Sequence, residues 1–154
     1  MPYSQLQEQR RIRAHELKPG ELARRLRELW DGFEVALADG QLAGQSLDGR
    51  FQDAYEALRH LAEIVMTAEG YRPASGPGQH EILFAFLAEV PTAEWKTRAS
   101  YFQRCRRRRA KSSYERKRQI TTKEVEDLLE EVDAFAAQVR GWLARTHPSL
   151  PRTT

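Results

Sequence analysis

The stretch "GQSLDGRFQDAYEALRHLAEIVMTAEGYRP", residues 44–73, decides the fold. Phe51, Ala54, Tyr55, Leu58, Leu61, Ala62 and Val65 recur every three or four residues, which is the spacing of one face of an α-helix. Ser46 stands where an N-cap is expected, with a hydroxyl that can accept from an orphan amide of the first turn. At the other end Gly70 is a natural left-handed terminator and Pro73 prevents a restart. The unbroken stripe predicts a helix over about residues 47–69 at the centre of the core.

The flanking segments repeat the pattern. In "ELARRLRELWDGFEVALADG", residues 21–40, the residues Leu22, Leu26, Leu29, Trp30, Phe33 and Leu37 form one apolar stripe. Pro19 and Gly40 stand at its two ends, as helix boundaries expect. After the short Pro/Gly/Ser loop "RPASGPGQ", the segment "HEILFAFLAEV" is apolar nearly all round and reads as a buried helix. Pro91 and Thr92 then punctuate, and a long helical stretch runs from about Ala93 into a basic segment. The last segment, "ITTKEVEDLLEEVDAFAAQVRGWLARTH", has capping-box spacing at Thr121 and Glu124. Its stripe runs through Val125, Leu128, Leu129, Val132, Phe135, Val139, Trp142 and Leu143, and Pro148 and Pro151 end it. No segment alternates cleanly enough to be a strand, and there is no internal repeat. The expected architecture is all-α, a small bundle of four to five helices. Residues 1–18 form an extension or short extra helix, 19–147 the helical domain, and 148–154 a tail.

The chain has 154 residues, 40% hydrophobic and 31% charged, which fits one soluble domain with its own core. There is no membrane-spanning apolar run, no signal-peptide core near the start, and a single cysteine, which excludes an internal disulfide framework. These features point to the cytoplasm.

The formal net charge of +3 conceals a strong asymmetry. The stretch "RCRRRRAKSSYERKR", residues 104–118, holds nine basic residues and one acidic residue, a net of +8. The other residues number 16 basic and 21 acidic, a net of −5. A basic patch on a mildly acidic body attracts polyanions or an acidic protein at long range. If the helix from residue 93 continues through this run, Arg109 lies ~20° and Arg106 ~40° around the wheel from Phe102. Trp95, Ala99 and Phe102 mark the inward face, so these two arginines continue a face that should be core. Such arginines require a wet cleft, a subunit interface or an anion. Arg107, Lys111, Tyr114 and Arg118 fall on a different stripe. The alternative is a helix that kinks or ends near Ser112–Ser113, with its arginines simply solvated.

From about residue 20 to 145 the chain resembles the HEPN domain family (higher eukaryotes and prokaryotes nucleotide-binding). The resemblance is carried by "SLDGRFQDAYEALRHLAEIVMTAEGYRP", by "GPGQHEILFAFL", and by the helix ending "RRRRAKSSY" before a last amphipathic helix. It implies a four- or five-helix bundle that commonly dimerises, with a cleft where two copies meet. Many members are metal-independent ribonucleases, some of them toxins beside nucleotidyltransferase antitoxins, and others are non-catalytic. The catalytic signature is Arg, four to six residues, then His, often with Tyr two places later. Here, in one register, Arg107 is the arginine, Ser112 replaces the His and Tyr114 follows. In the other, Arg109 is the arginine and Tyr114 replaces the His.

Cleavage through a 2′-hydroxyl needs proton transfer near neutrality, which suits His, whereas Tyr titrates near 10. The resemblance therefore implies a nucleic-acid- or nucleotide-binding module, non-catalytic or weakly active. A metal-independent endoribonuclease toxin is the alternative. The candidate ligand-binding residues are Arg106, Arg107, Arg109, Ser112 and Tyr114, and the catalytic candidates are Arg107, Arg109 and Tyr114. A homodimer, RNA or a nucleotide, and a nucleotidyltransferase-type antitoxin are the expected partners. No cofactor and no metal site are expected.

His15, His60, His80 and His147 are widely separated and lack metal-ligand spacing, so they read as buried or capping histidines. Cys105 lies between two arginines but near the aromatic face, and reads as a buried, inert thiol. The acidic run "EVEDLLEEVD" reads as a solvated face or as a counterweight to the basic segment from a neighbouring helix. There is no Gly-rich phosphate loop, nucleophile elbow or nucleotide-binding fingerprint.

Overall fold

The computed structural model describes residues 2–114 and 119–153, and for residues 111–114 the backbone alone. Five helices of three turns or more carry the fold: α2 (Pro19–Gly40), α3 (Leu47–Ala68), α4 (Gln79–Glu89), α5 (Lys96–Tyr114) and α6 (Thr122–Thr146). A single-turn α1 (Ser4–Glu8) precedes them. The protein is thus an all-α bundle, with one small addition. Strands β1 (Ile12–Ala14) and β2 (Tyr71–Pro73) form an antiparallel pair, Ile12 opposite Pro73 and Ala14 opposite Tyr71. Three residues are too few to display an alternating pattern, which is why the sequence reading found no strand.

α3 is the central element. It packs on α2, α4, α5 and α6, and Tyr55, Leu58, Leu61, Ile64 and Val65 are fully buried. Burying an aliphatic or aromatic side chain contributes roughly 1.5–3 kcal/mol, so this helix anchors most of the core. Its N-terminus is capped as expected: the Ser46 hydroxyl accepts from the Gly49 amide at 3.0 Å. Gly70 takes φ 88°, the left-handed conformation that ends the helix. α6 begins with a reciprocal capping box between Thr121 and Glu124.

Gly40 departs from its expected role. It is the last residue of α2, it is buried, and its cap Gln41 is right-handed. A Cβ there would meet the Ala54 amide nitrogen at 3.2 Å and the Arg50 carbonyl at 3.3 Å. The missing side chain lets α2 and α3 approach closely.

The aromatics align the later helices. Phe84 of α4 meets Phe102 of α5 at 5.8 Å between ring centroids, and Phe102 meets Phe135 of α6 at 5.1 Å. Trp95 meets Phe135 at 5.1 Å and Trp142 at 5.6 Å. Phe102 is fully buried, so it fixes the rotation of α5 and with it the direction of every arginine that follows.

Both flanking segments join the same body. Tyr3, Leu6 and Ile12 enter the core. Tyr3 donates to Glu69 at 2.6 Å, and Glu69 also meets Nε2 of His147 at 2.8 Å. In the tail the Pro151 carbonyl accepts from the Trp30 indole at 3.1 Å. No helix among the described residues is long and apolar enough to cross a membrane.

Candidate nucleic-acid interface

α5 runs to Tyr114. Its arginines divide over two faces, because a 3.6-residue repeat sends neighbours ~100° apart.

The first face looks toward α3 and the start of α4, and it carries Arg106 and Arg109. The Arg109 guanidinium lies 5.1 Å from the centroid of the Tyr55 ring, a cation–π distance. One of its nitrogens is 4.0 Å from a Glu56 oxygen. Glu56 is held mainly by Arg59, which donates to it at 2.7 and 3.1 Å. Burial works against the Glu56 charge, but Arg59, His60 and Arg109 outweigh it and hold the carboxyl below its ordinary range. The Tyr55 hydroxyl and Nδ1 of His80 share a hydrogen bond at 3.0 Å. Burial raises the Tyr55 hydroxyl well above its ordinary value, against the pull of Arg109 and Arg106, so it stays protonated. Burial also lowers His80, helped by the charges of Arg59 and Arg109, so its imidazole favours the neutral form. Gln103 braces the face by donating to the Glu81 carbonyl at 2.9 Å and accepting from Arg106 at 2.8 Å. Arg11 of the N-terminal segment pairs with the Glu81 carboxylate.

The second face looks toward α6 and carries Arg104, Arg107 and Arg108. Between the two helices runs a groove of about 820 Å³, lined by Phe51, Tyr101, Arg104, Cys105, Arg107, Arg108, Gln119, Thr121, Glu124 and Asp127. Arg108 closes one part of it, donating to both Glu124 oxygens at 2.7 and 3.2 Å and to the Gln119 carbonyl at 3.0 Å. Arg104 sits 5.5 Å from the Tyr101 ring centroid. Cys105 is buried, and burial pushes its thiol up to about 11. It is an uncharged part of the wall, as its neighbours on the aromatic face imply.

The arginines also differ in what neutralises them. Arg98 pairs with Glu131 at 2.5 Å and Arg108 with Glu124 at 2.7 Å, both across to α6. The acidic run therefore does counterbalance the basic helix, on one side. Arg109 reaches Glu56 only at 4.0 Å. Arg104, Arg106 and Arg107 have no carboxylate within 4.0 Å among the described residues.

Of the sequence candidates, then, Arg106 and Arg109 share one face and Arg107 is exposed toward the groove. The side chains of Ser112 and Tyr114 lie outside the described residues. Sequence reasoning took Tyr55 as part of the core stripe and His80 as a buried or capping histidine, and passed over Gln103. A phenol on an otherwise apolar stripe was the available signal, because a buried Tyr hydroxyl needs a partner. His80, at the opening of a buried helix, was that partner. Among the described residues no group of three or more His, Cys, Asp or Glu side chains is placed to hold a metal. The chain matches no family model, no curated protein and no solved structure.

Proposed function

We propose that this chain is a HEPN-like binding module for RNA or a nucleotide, non-catalytic or weakly active, whose α5 arginines hold phosphate. One observation carries the reading. On a helix whose other arginines are matched to carboxylates, Arg104, Arg106 and Arg107 have no carboxylate partner among the described residues. Unneutralised guanidiniums crowded on one helix repel each other, and phosphate oxygens relieve that repulsion through paired N–H donors. Ser112 and Tyr114 belong to the site by the family resemblance. The resemblance also supports a homodimer that brings two basic segments to one cleft and a nucleotidyltransferase-type antitoxin as partner in a toxin–antitoxin or defence system, and the composition supports a cytoplasmic setting.

The test is a titration of a short single-stranded RNA against the wild type and an Arg106→Ala, Arg107→Ala double variant. A charge-assisted hydrogen bond contributes about 1.5–3 kcal/mol, so the variant binds at least ~10-fold more weakly. Equal affinities overturn the site.

His80 favours a second reading, a metal-independent endoribonuclease toxin. The histidine absent from α5 has a counterpart on α4, joined to Tyr55 and facing Arg109. Nδ1 is taken by Tyr55, which leaves Nε2 for a ligand. In that reaction the 2′-oxygen attacks the adjacent phosphorus, the bond to the 5′-oxygen breaks, and a cyclic phosphate forms. One proton leaves the 2′-oxygen and one returns to the 5′-oxygen. With Nδ1–H donating to the Tyr55 oxygen, the Nε2 lone pair of neutral His80 is suited to take the first. Under the binding-module reading, RNA incubated with chelator-treated wild type comes back intact. A cyclic-phosphate product that His80→Gln abolishes, while RNA stays bound, would carry the enzyme reading instead.

A further inference from the structure

We infer that the groove between α5 and α6 is a subsite for the base of a guanine nucleotide, which rests on the phosphate-binding reading above and adds the identity of the base. At about 820 Å³ the groove falls in the range of small-ligand sites, roughly 300–1,000 Å³. It is built from three kinds of surface. Phe51, Tyr101 and Cys105 give it an apolar floor. Arg104 and Arg107 stand on the α5 wall without carboxylate partners among the described residues. Asp127 stands on the α6 wall.

The two acidic residues of the groove are not equivalent. Glu124 is committed, since Arg108 occupies both of its oxygens and the Thr121 amide donates to one of them at 3.2 Å. It closes the groove. Among the described residues Asp127 is paired only with Lys123, through one oxygen at 3.0 Å, with side-chain exposures of 49% and 82%. An exposed pair one helical turn apart is held weakly, so Asp127 can turn both oxygens to a ligand.

The groove is therefore dipolar, with cations on one wall, an available carboxylate on the other and aromatic surface between. An acidic peptide would satisfy the arginines but meet Asp127 and Glu124. A neutral apolar ligand would leave the arginines unmatched. A nucleotide satisfies all three surfaces. Its phosphate reaches Arg104 and Arg107, its ring lies on Tyr101 beside the Arg104 guanidinium, and donors on the base edge reach Asp127. Carboxylates read bases through such donors. Guanine offers two adjacent donors, N1–H and N2–H₂, that one carboxylate accepts with both oxygens. Uracil offers a single N–H flanked by carbonyls, which a carboxylate repels.

The experiment titrates the full chain with GMP, UMP and inorganic phosphate. GMP is expected to bind at least ~10-fold tighter than UMP, the value of one good polar contact. Asp127→Asn, a change at an exposed position, brings GMP down to the level of UMP. The Arg104→Ala, Arg107→Ala double variant loses both nucleotides, and thermal melts confirm that each variant is folded. Equal binding of GMP and UMP by wild type overturns the inference. So does a GMP preference that survives Asp127→Asn. So does GMP binding that is lost in an Arg106→Ala, Arg109→Ala variant but kept in the Arg104→Ala, Arg107→Ala variant. Single-stranded RNA separates the two levels of failure. RNA held by the arginines with no preference among bases removes only the groove, whereas no binding of RNA, nucleotide or phosphate removes the underlying reading as well.

Discussion

At Arg109 the chain places a guanidinium 5.1 Å from the ring centroid of a fully buried tyrosine. That tyrosine in turn holds His80 through its hydroxyl, so a change of charge at any one of the three is felt by the others. His80 makes this measurable. Burial comes first, then the charges of Arg59 and Arg109, and together they depress its pKa below the ordinary 6.5. The folded state therefore binds fewer protons than the unfolded chain once the pH falls below that value. The stability linked to neutral His80 is complete above the unfolded pKa and is lost as pH falls toward the folded one. Thermal melts between about pH 7 and pH 5, the window in which histidine charges, should show a larger drop for wild type than for His80→Gln. Glutamine can still hydrogen-bond the Tyr55 hydroxyl but does not titrate. His15 is also depressed, by burial and by Arg72 and Arg25, and it is common to both proteins, so the difference isolates His80. Equal pH profiles would mean that the α3–α4 face does not couple to this proton.

Helix by helix, most of the fold was legible because its causes are local. The stripe on α3, the Ser46 cap, the Gly70 stop and the Thr121–Glu124 box depend on residues within a turn or two of one another. The wheel also placed Arg106 and Arg109 correctly on the side of Phe102, since one buried aromatic sets the phase of α5. What could not be read were features set by two segments at once. Gly40 looks like a terminator until α3 is seen packed against it. The β1–β2 pair joins residues about sixty positions apart through three residues on each side. The largest gap was in the site. The wheel put Arg107 on a different stripe from Arg106 and Arg109, but it did not show that this stripe faces the α6 groove while theirs faces α3 and α4. A run of arginines carries no record of which neighbours will flank it. Nor does it show that Glu131 and Glu124 neutralise Arg98 and Arg108, while no described carboxylate pairs with Arg104, Arg106 or Arg107.

Across the whole molecule, the charges are sorted in a way the net value of +3 hides. An acidic α6 lies against a basic α5 and cancels part of it, and the uncancelled cations remain in the segment that the family resemblance assigns to function. In the proposed homodimer two such segments approach one another, so a bound polyanion would tighten the assembly as well as fill the site. All of this depends on the arginines meeting phosphate. The most direct test is the salt dependence of wild-type affinity for a short single-stranded RNA, measured from about 50 to 300 mM monovalent salt. Each phosphate neutralised on a single strand releases counterions worth a slope of roughly −0.7 in log K against log salt. Arg104, Arg106 and Arg107 on three phosphates therefore predict a slope of about −2. A slope near zero, or no measurable binding at the lowest salt, would contradict the account.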